Sequence, residues 1–156
     1  MKKLNGTPSE RADIIHQAAM LYLASNIPID YGTGEKYTMV EVHMLKYIID
    51  NPGKTVTDLS FEWDRTKAAI SLMLKNMEQK NLIRHQPSQE NHKKQLYFAT
   101  EKGLTLNEAH RKYDDEVFGK TLEFLRETCS EEDIATCFDV LREFINARRR
   151  KHYQAK

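Results

Sequence analysis

The sequence predicts a mainly α-helical chain with one small β-hairpin, and the observations behind this prediction lie in residues 54–103. A capping pattern at Thr55 opens one helix, and a second helix repeats apolar residues at three- and four-residue spacing from Ala69 to Met77. Two short apolar runs around a polar turn then predict a hairpin. This order of elements is typical of a winged helix-turn-helix, here with flanking helices on both sides.

The first predicted helix occupies residues 7–26. Thr7, the proline after it and Glu10 form an N-terminal capping pattern. The apolar stripe of this helix consists of Ile14, Ala18, Leu21 and Tyr22. Residues 27–37 are predicted to be a loop, because they include a proline and two glycines.

The next predicted helix runs from Thr38 to about Asp50. Thr38 and Glu41 repeat the capping pattern, and Asn51-Pro52-Gly53 ends the helix. Glu41 therefore has a structural role in the sequence, as the third residue of a capping box.

The helix-turn-helix pair follows, with Thr55 and Asp58 at the start of its first helix. Its second helix begins at Thr66, after a break at Asp64-Arg65. The predicted apolar stripe of the second helix consists of Ala69, Ile70, Met73, Leu74 and Met77. The residues left to face a DNA groove are Arg65, Thr66, Lys67, Ala68, Ser71 and Lys75.

The predicted hairpin pairs residues 82–85 with residues 95–98, and its turn is polar and mostly cationic. Residues 65–94 contain seven lysines and arginines against two acidic residues, a net +5, while the whole chain is +1. Such concentrated cations can displace counterions from DNA phosphates, although an isolated cluster of charge is more often a solvated face. The hairpin contributes the candidates Arg84, Asn91, His92, Lys93 and Lys94.

Two more helices follow, from Thr100 to about Thr128 and from Ser130 to about Arg150. The first carries Leu106, Tyr113, Val117, Phe118, Leu122 and Leu125. Terminal helices with apolar stripes can pair across a twofold axis. We therefore expect residues 1–156 to form one protomer of a homodimer, with a DNA-binding part at 38–103 and dimerisation helices at 7–26 and 104–150. The alternative is that these helices pack on their own DNA-binding part.

Composition excludes several classes of protein. No segment resembles a signal peptide or approaches the roughly 20 apolar residues that span a bilayer, so a cytoplasmic protein without a membrane partner is expected. Cys129 and Cys137 lack CxxC spacing, and Cys137 lies in an apolar stripe that predicts burial. GxSxG, HExxH and phosphate-binding glycine loops are absent from the sequence, so we expect neither an enzyme nor a required cofactor.

The chain resembles the MarR family of bacterial transcriptional regulators over nearly its whole length. The resemblance rests on residues 63–71 at the start of the second helix, on Asn76-Met77-Glu78-Gln79-Lys80-Asn81-Leu82-Ile83, and on Ala99-Thr100-Glu101-Lys102-Gly103. It implies a dimer that represses genes and releases DNA when a small molecule, a metal or an oxidant is sensed. A dimer implies a pseudo-palindromic operator with half-sites about 10 base pairs apart.

The sequence departs from the family at the turn of the hairpin. Where the family commonly has Asp-Arg-Arg, this chain has Asn91-His92-Lys93. Lysine lacks the planar fork of arginine, so Lys93 is expected to contact a phosphate and to select less for the minor groove.

A candidate metal site consists of His43, His110 and Asp114. His110 and Asp114 share a helix face at four-residue spacing, and histidine and carboxylate groups are zinc ligands. The pattern resembles both a zinc-sensing branch of the family and a fatty-acid-synthesis repressor branch that is not known for metal binding. The structural alternative is that the histidines are satisfied hydrogen-bonding residues.

An organic effector is the other candidate for control. A pocket between the DNA-binding part and the dimerisation helices would be lined by Tyr22, Tyr37, Tyr47, Tyr113 and Phe118. Aromatic residues at helical spacing are also typical of a core. The peroxide-sensing branch of the family that this chain resembles has a reactive cysteine near the N-terminus, and this chain has none there, so thiol sensing of that type is not expected.

Two further function classes stay open from the sequence. A nonspecific architectural protein would use the same basic surface, and a winged-helix interaction module would use its hairpin on another protein. Retention of a palindromic site at raised salt would separate a specific regulator from the first class.

Overall fold

The computed structural model describes residues 6–24 and 27–154, with side chains described as far as residue 147. Six helices and two small antiparallel hairpins follow one another along this part of the chain, which confirms the predicted fold class. The helices are α1 (Pro8–Ala24), α2 (Met39–Asp50), α3 (Val56–Glu62), α4 (Lys67–Gln79), α5 (Glu101–Arg126) and α6 (Glu131–Gln154). The strands are β1 (Ile29–Asp30), β2 (Lys36–Tyr37), β3 (Ile83–Pro87) and β4 (Gln95–Ala99).

The chain divides into two compact units at a point within α5. Gly6–Tyr113 form the first unit, and the described residues from Asp114 onward belong to the second. Among the described residues, no helix has the length and apolar character needed to cross a membrane.

The predicted caps start the helices where the sequence indicates. At α2 the Thr38 hydroxyl accepts from the Glu41 amide at 3.2 Å, while the Glu41 carboxylate accepts from the Thr38 amide at 2.8 Å. The same reciprocal pair forms at α3, between Thr55 and Asp58. Thr7 caps α1 in this way as well, but the predicted end of that helix near Asn26 lies outside the described residues.

The core of the first unit is formed mainly by α2 and by the helix-turn-helix pair. Its buried residues are Tyr31, Tyr37, Val42, Met44, Leu45, Ile48, Leu59, Ile70, Leu74, Met77, Leu82, Ile83, Tyr97 and Leu106. The predicted stripe of α4 needs one correction, because Ala69 is exposed and Met73 is only partly buried. At about 100° per residue, the direction of Ala69 lies well away from the line through Ile70, Leu74 and Met77.

The second hairpin is the wing, which we define as β3, β4 and the turn at residues 88–94. Its strands pair from Ile83 with Ala99 to Pro87 with Gln95. A residue before α3 adds to this sheet, since the Tyr97 amide donates to the Lys54 carbonyl at 3.1 Å. The sequence did not indicate that contact, which attaches the wing to the start of the helix-turn-helix.

The prediction of a loop at residues 27–37 is wrong in part, because β1 and β2 form a short hairpin there. The Asp30 carboxylate accepts from the amides of Gly32, Thr33 and Gly34 at 2.8, 2.8 and 3.1 Å. Gly32 and Gly34 have φ of +90° and +80°, which glycine adopts without strain. The glycines that suggested a loop therefore form the turn of a hairpin.

The second unit consists of the end of α5 and the whole of α6. Ser130 and Asp133 cap α6 as predicted, and the rings of Phe118 and Phe138 pack at 5.9 Å between centroids. The prediction that Cys137 is buried is wrong, because its side chain is exposed. The stripe on which that prediction rested is itself largely exposed, including Phe138, Phe144 and Ile145.

Candidate nucleic-acid interface

The turn between α3 and α4 places the first candidate residues on the surface. Asp64 has φ of +47°, and the Arg65 amide donates to the Ser60 carbonyl at 3.0 Å. The chain therefore reverses over a short span, and Arg65 and Thr66 are both exposed. The Thr66 hydroxyl accepts from the Ala69 amide at 3.2 Å and so begins α4 as predicted.

One face of α4 is turned away from the core. The predicted groove-facing residues Lys67, Ala68, Ser71 and Lys75 are all exposed. Sequence reasoning missed Leu72 and Gln79 on this face, and the exposed fraction of Leu72 is 62%. The spacing could have revealed Leu72, because it follows Ala68 by four residues and lies opposite Ile70 and Leu74.

The wing presents the other candidates. Arg84 lies on β3 with its guanidinium 5.2 Å from the ring centre of Phe98, and it donates to the Gln86 side chain at 3.3 Å. Asn91, His92, Lys93 and Lys94 are exposed on the turn. Backbone bonds close that turn, from the Lys94 amide to the Asn91 carbonyl and from the Ser88 amide to the Lys94 carbonyl.

A cleft of about 350 Å³ lies between the start of α3 and the turn and strand β4 of the wing. Its lining includes Thr55, Thr57, Asp58, Lys93, Lys94 and Gln95. Hydrogen bonds from the Thr55 amide and hydroxyl lower the pKa of Asp58, and the charges of Lys54 and Lys94 lower it further. The Asp58 carboxylate is thus held by the cap of α3. The charged groups of the cleft that remain outside the cap are the ammonium groups of Lys93 and Lys94.

Two contacts attach the C-terminal part of α4 to its surroundings. Lys80, which follows α4, donates to the Glu41 carboxylate at 2.5 Å, and its ammonium lies 5.2 Å from the ring centre of Tyr37. Glu78 accepts from Nδ1 of His85 on β3. The exposed face of α4 is therefore held relative to both α2 and the wing.

A hydrogen-bonded network continues from Tyr37. Its hydroxyl donates to Glu35 at 2.6 Å, and Lys102 donates to the two oxygens of Glu35 at 2.8 and 2.9 Å. Lys102 and Tyr37 together lower the pKa of Glu35. Burial raises the pKa of the Tyr37 hydroxyl, and the bond to Glu35 raises it further, so this hydroxyl stays protonated.

Two of the candidate metal ligands, His43 and His110, are in contact. The rings of His43 and His110 meet edge to face at 5.1 Å, and His110 is buried with 3% exposed. Asp114 follows His110 by four residues on α5 but belongs to the second unit, so its part in a shared set of metal ligands stays a prediction. Tyr31 packs against His110 at 5.0 Å, so the histidine pair lies beside an aromatic contact.

The five aromatic residues named as an effector pocket have different surroundings. Tyr37 belongs to the core, and Tyr47 packs against that core while partly buried. Tyr22 is exposed on α1, and Tyr113 meets the ring of Tyr31 at 5.1 Å. Phe118 packs on Phe138 in the second unit. The pocket stays a prediction.

Comparison with known proteins finds a family match over the helix-turn-helix and most of the wing. Residues 37–94 match the model of the MarR family. A curated relative from Bacillus subtilis (strain 168), named the uncharacterized HTH-type transcriptional regulator YhjH, is 25% identical over 120 residues. That alignment covers 76% of this chain and 67% of the relative.

Solved structures show the same fold. Streptococcus pneumoniae FabT, solved in complex with DNA, has a TM-score of 0.63 and 21% identity, over 88% of this chain and 92% of FabT. Lactococcus lactis ZitR, described as a zinc-responsive MarR family member, has a TM-score of 0.60 and 18% identity. That match covers 88% of this chain and 98% of ZitR.

Proposed function

We propose that this chain, whose residues 37–94 match the MarR family model, binds a specific pseudo-palindromic operator as a homodimer and acts as a ligand-responsive repressor. The DNA-facing surface consists of the exposed face of α4 and the wing. The proposal places the protein in the cytoplasm, where the chromosome is.

The proposal rests on the absence of ion pairs, among the described residues, at the cations of this surface. Five cations of the DNA-facing surface lie outside strand β3, and none of them forms an ion pair with a described residue. They are Arg65, Lys67, Lys75, Lys93 and Lys94. By contrast, the lysines of α5 are each paired with a glutamate, as in Lys102 with Glu35 and Lys120 with Glu116. Unpaired cations on one surface are available to neutralise DNA phosphates.

Apolar surface outside the DNA-binding part supports the homodimer. The described part of α1 has no buried residue, and Leu21 on it is 74% exposed. On α6, Val140, Phe144 and Ile145 are also exposed. Large apolar side chains of this kind on terminal helices are typical of an interface between copies of a chain.

Selection of binding sites from random duplex DNA tests the proposal. We expect an enriched pseudo-palindrome, which remains bound at a salt concentration that removes random DNA, because base contacts add to the phosphate contribution. Binding without enrichment would indicate an architectural protein. Failure to bind any duplex would favour an interaction module. The mass of the complex, measured by light scattering, should equal two protomers on one duplex.

A zinc-responsive regulator is the second candidate, favoured by the contact between His43 and His110. Neutral imidazoles are zinc ligands, and the carboxylate of Asp114 follows on the same helix as His110. The fold likeness to ZitR supports the candidate without identifying its ligands. The alternative effector is an organic molecule.

Zinc titration of the purified protein separates these two. We expect the wild-type protein to bind zinc measured by calorimetry, and His43→Ala to lose that binding. His16→Ala is the matched control, since His16 is an exposed histidine of α1. Zinc binding that is equal in the wild-type protein and both variants would remove this candidate and leave an organic effector.

A further inference from the structure

Leu72 is an apolar residue on the surface that the proposed function assigns to DNA. Its side chain is 62% exposed, whereas the apolar residues Ile70, Leu74 and Met77 of the same helix are fully buried. Packing in the core therefore explains the three buried residues of α4 and leaves Leu72 without a structural role in the described unit.

Helical geometry places Leu72 at the centre of the exposed face. At about 100° per residue, Ala68, Leu72, Lys75 and Gln79 lie along one side, opposite the line of Ile70, Leu74 and Met77. All four are exposed. Single exposed leucines are common on protein surfaces, but this one lies in the middle of the strip that would approach the floor of a DNA groove.

The major groove of DNA contains a chemical group that the exposed strip of α4 can contact. An α-helix fits into the major groove, and thymine is the one base of unmodified DNA that presents a methyl group there. The other edges present hydrogen-bonding groups, which a leucine would leave unpaired. A leucine flanked by an alanine matches methyl groups, and the neighbouring Ser71 and Lys75 can bond polar edges.

We propose that Leu72, together with Ala68 one turn earlier, determines specificity by packing against the 5-methyl groups of thymines in the major groove. The inference rests on the proposed function, because it requires α4 to enter that groove. It predicts thymine at one or two fixed positions of each half-site.

Removal of single methyl groups from the DNA tests the contact directly. The probe is the duplex of highest affinity from the selection, in which each thymine is replaced in turn by deoxyuridine. This replacement removes the methyl group and keeps the hydrogen-bonding edge. At the contacted positions we expect the wild-type dissociation constant to rise about fourfold per methyl group, as for one buried methylene.

Leu72→Ala completes a double-mutant cycle with the same duplexes. Alanine keeps α4 helical because it has the highest helix propensity. The variant should bind the thymine duplex more weakly, and at the position that Leu72 contacts it should show no further loss when thymine becomes deoxyuridine. Leu104→Ala is the matched control, since Leu104 is a leucine of α5 with 43% exposed, and it should keep the fourfold loss.

The outcomes separate the inference from the function on which it rests. A selected duplex whose affinity is insensitive to deoxyuridine at every position overturns the role of Leu72 and leaves the regulator intact. A loss that persists unchanged in Leu72→Ala at every sensitive position also overturns the role of Leu72, because the methyl groups would then act through Ala68 alone or through DNA shape. Failure to select any duplex overturns the proposed function and this inference together.

Discussion

Gly103 lies directly against the carbonyl group of Leu82, where the wing meets the start of α5. A Cβ atom at position 103 would lie 2.2 Å from that oxygen and 3.1 Å from Cδ1 of Leu45. The same oxygen accepts hydrogen bonds from the amide and the hydroxyl of Thr100, at 3.0 and 3.1 Å. The carbonyl is thus held in place, and the contact requires glycine.

Gly103→Ala should therefore destabilise the protein. The backbone of the wing or of α5 must shift to admit the methyl group, at a cost of roughly 1–3 kcal/mol in the free energy of unfolding. Urea unfolding followed by circular dichroism measures the loss. Gly119→Ala is the control, because the space around Gly119 is open and alanine should stabilise α5 by up to about 1 kcal/mol. Equal effects of the two substitutions would show that the close contact has no energetic consequence.

Glu41→Gln should weaken the protein in a pH-dependent way. Burial raises the pKa of Glu41, but the bonds from Lys80 and Thr38 outweigh it, so the pKa is lowered below its usual value. A carboxyl group with a lowered pKa stabilises the fold at pH values above its ordinary pKa. That contribution is lost as the pH falls through the folded-state pKa. We expect a loss of about 1 kcal/mol at pH 7 and a smaller loss at an acidic pH below the folded-state pKa.

Glutamine suits this test because it can still take the third position of the capping box, so the substitution removes mainly the charge. The control is Asp50→Asn, which breaks the exposed pair with Lys46 and should cost less than about 0.5 kcal/mol. A deficit of Glu41→Gln that is the same at both pH values would contradict the assigned ionisation.

Lys67→Glu should abolish most of the affinity for the selected duplex. Lys67 is the first residue of α4 and carries no ion pair among the described residues, so charge reversal places a carboxylate against the phosphates. We expect the dissociation constant to rise at least tenfold. The salt dependence of binding should fall by about one released counterion. Lys112→Glu makes the same charge change on α5 and should leave affinity nearly unchanged. Equal losses would mean that net charge, rather than position, controls binding.

Lys93→Ala should reduce affinity for all duplexes alike. Lys93 is exposed on the turn of the wing, and a lysine contacts phosphate as a point charge without reading bases. Binding to the selected duplex and to random DNA, measured by fluorescence anisotropy, should weaken by the same factor. Lys93→Arg is the informative partner, because its planar group should add a preference for A·T-rich flanks with a narrow minor groove. A loss confined to one operator base would contradict the phosphate role.

The positions of the helices follow from local sequence. The caps at Thr38, Thr55 and Thr66 each depend on a residue three positions later, and the periodicity of α4 extends over a few turns. Such interactions form within one short segment, so the sequence shows both partners side by side. The errors at Cys137, at Ala69 and in the loop at residues 27–37 arose because the same local sequence pattern is compatible with more than one structure or degree of burial.

The sequence by itself determined the order of the helices and the wing, the starts of the helices and the concentration of cations between residues 65 and 94. Only the tertiary structure decided which distant residues meet: Glu41 with Lys80, His43 with His110, and Gly103 with Leu82. The physical reason is range, because caps and periodicity act within a few residues, whereas these contacts depend on how whole helices pack.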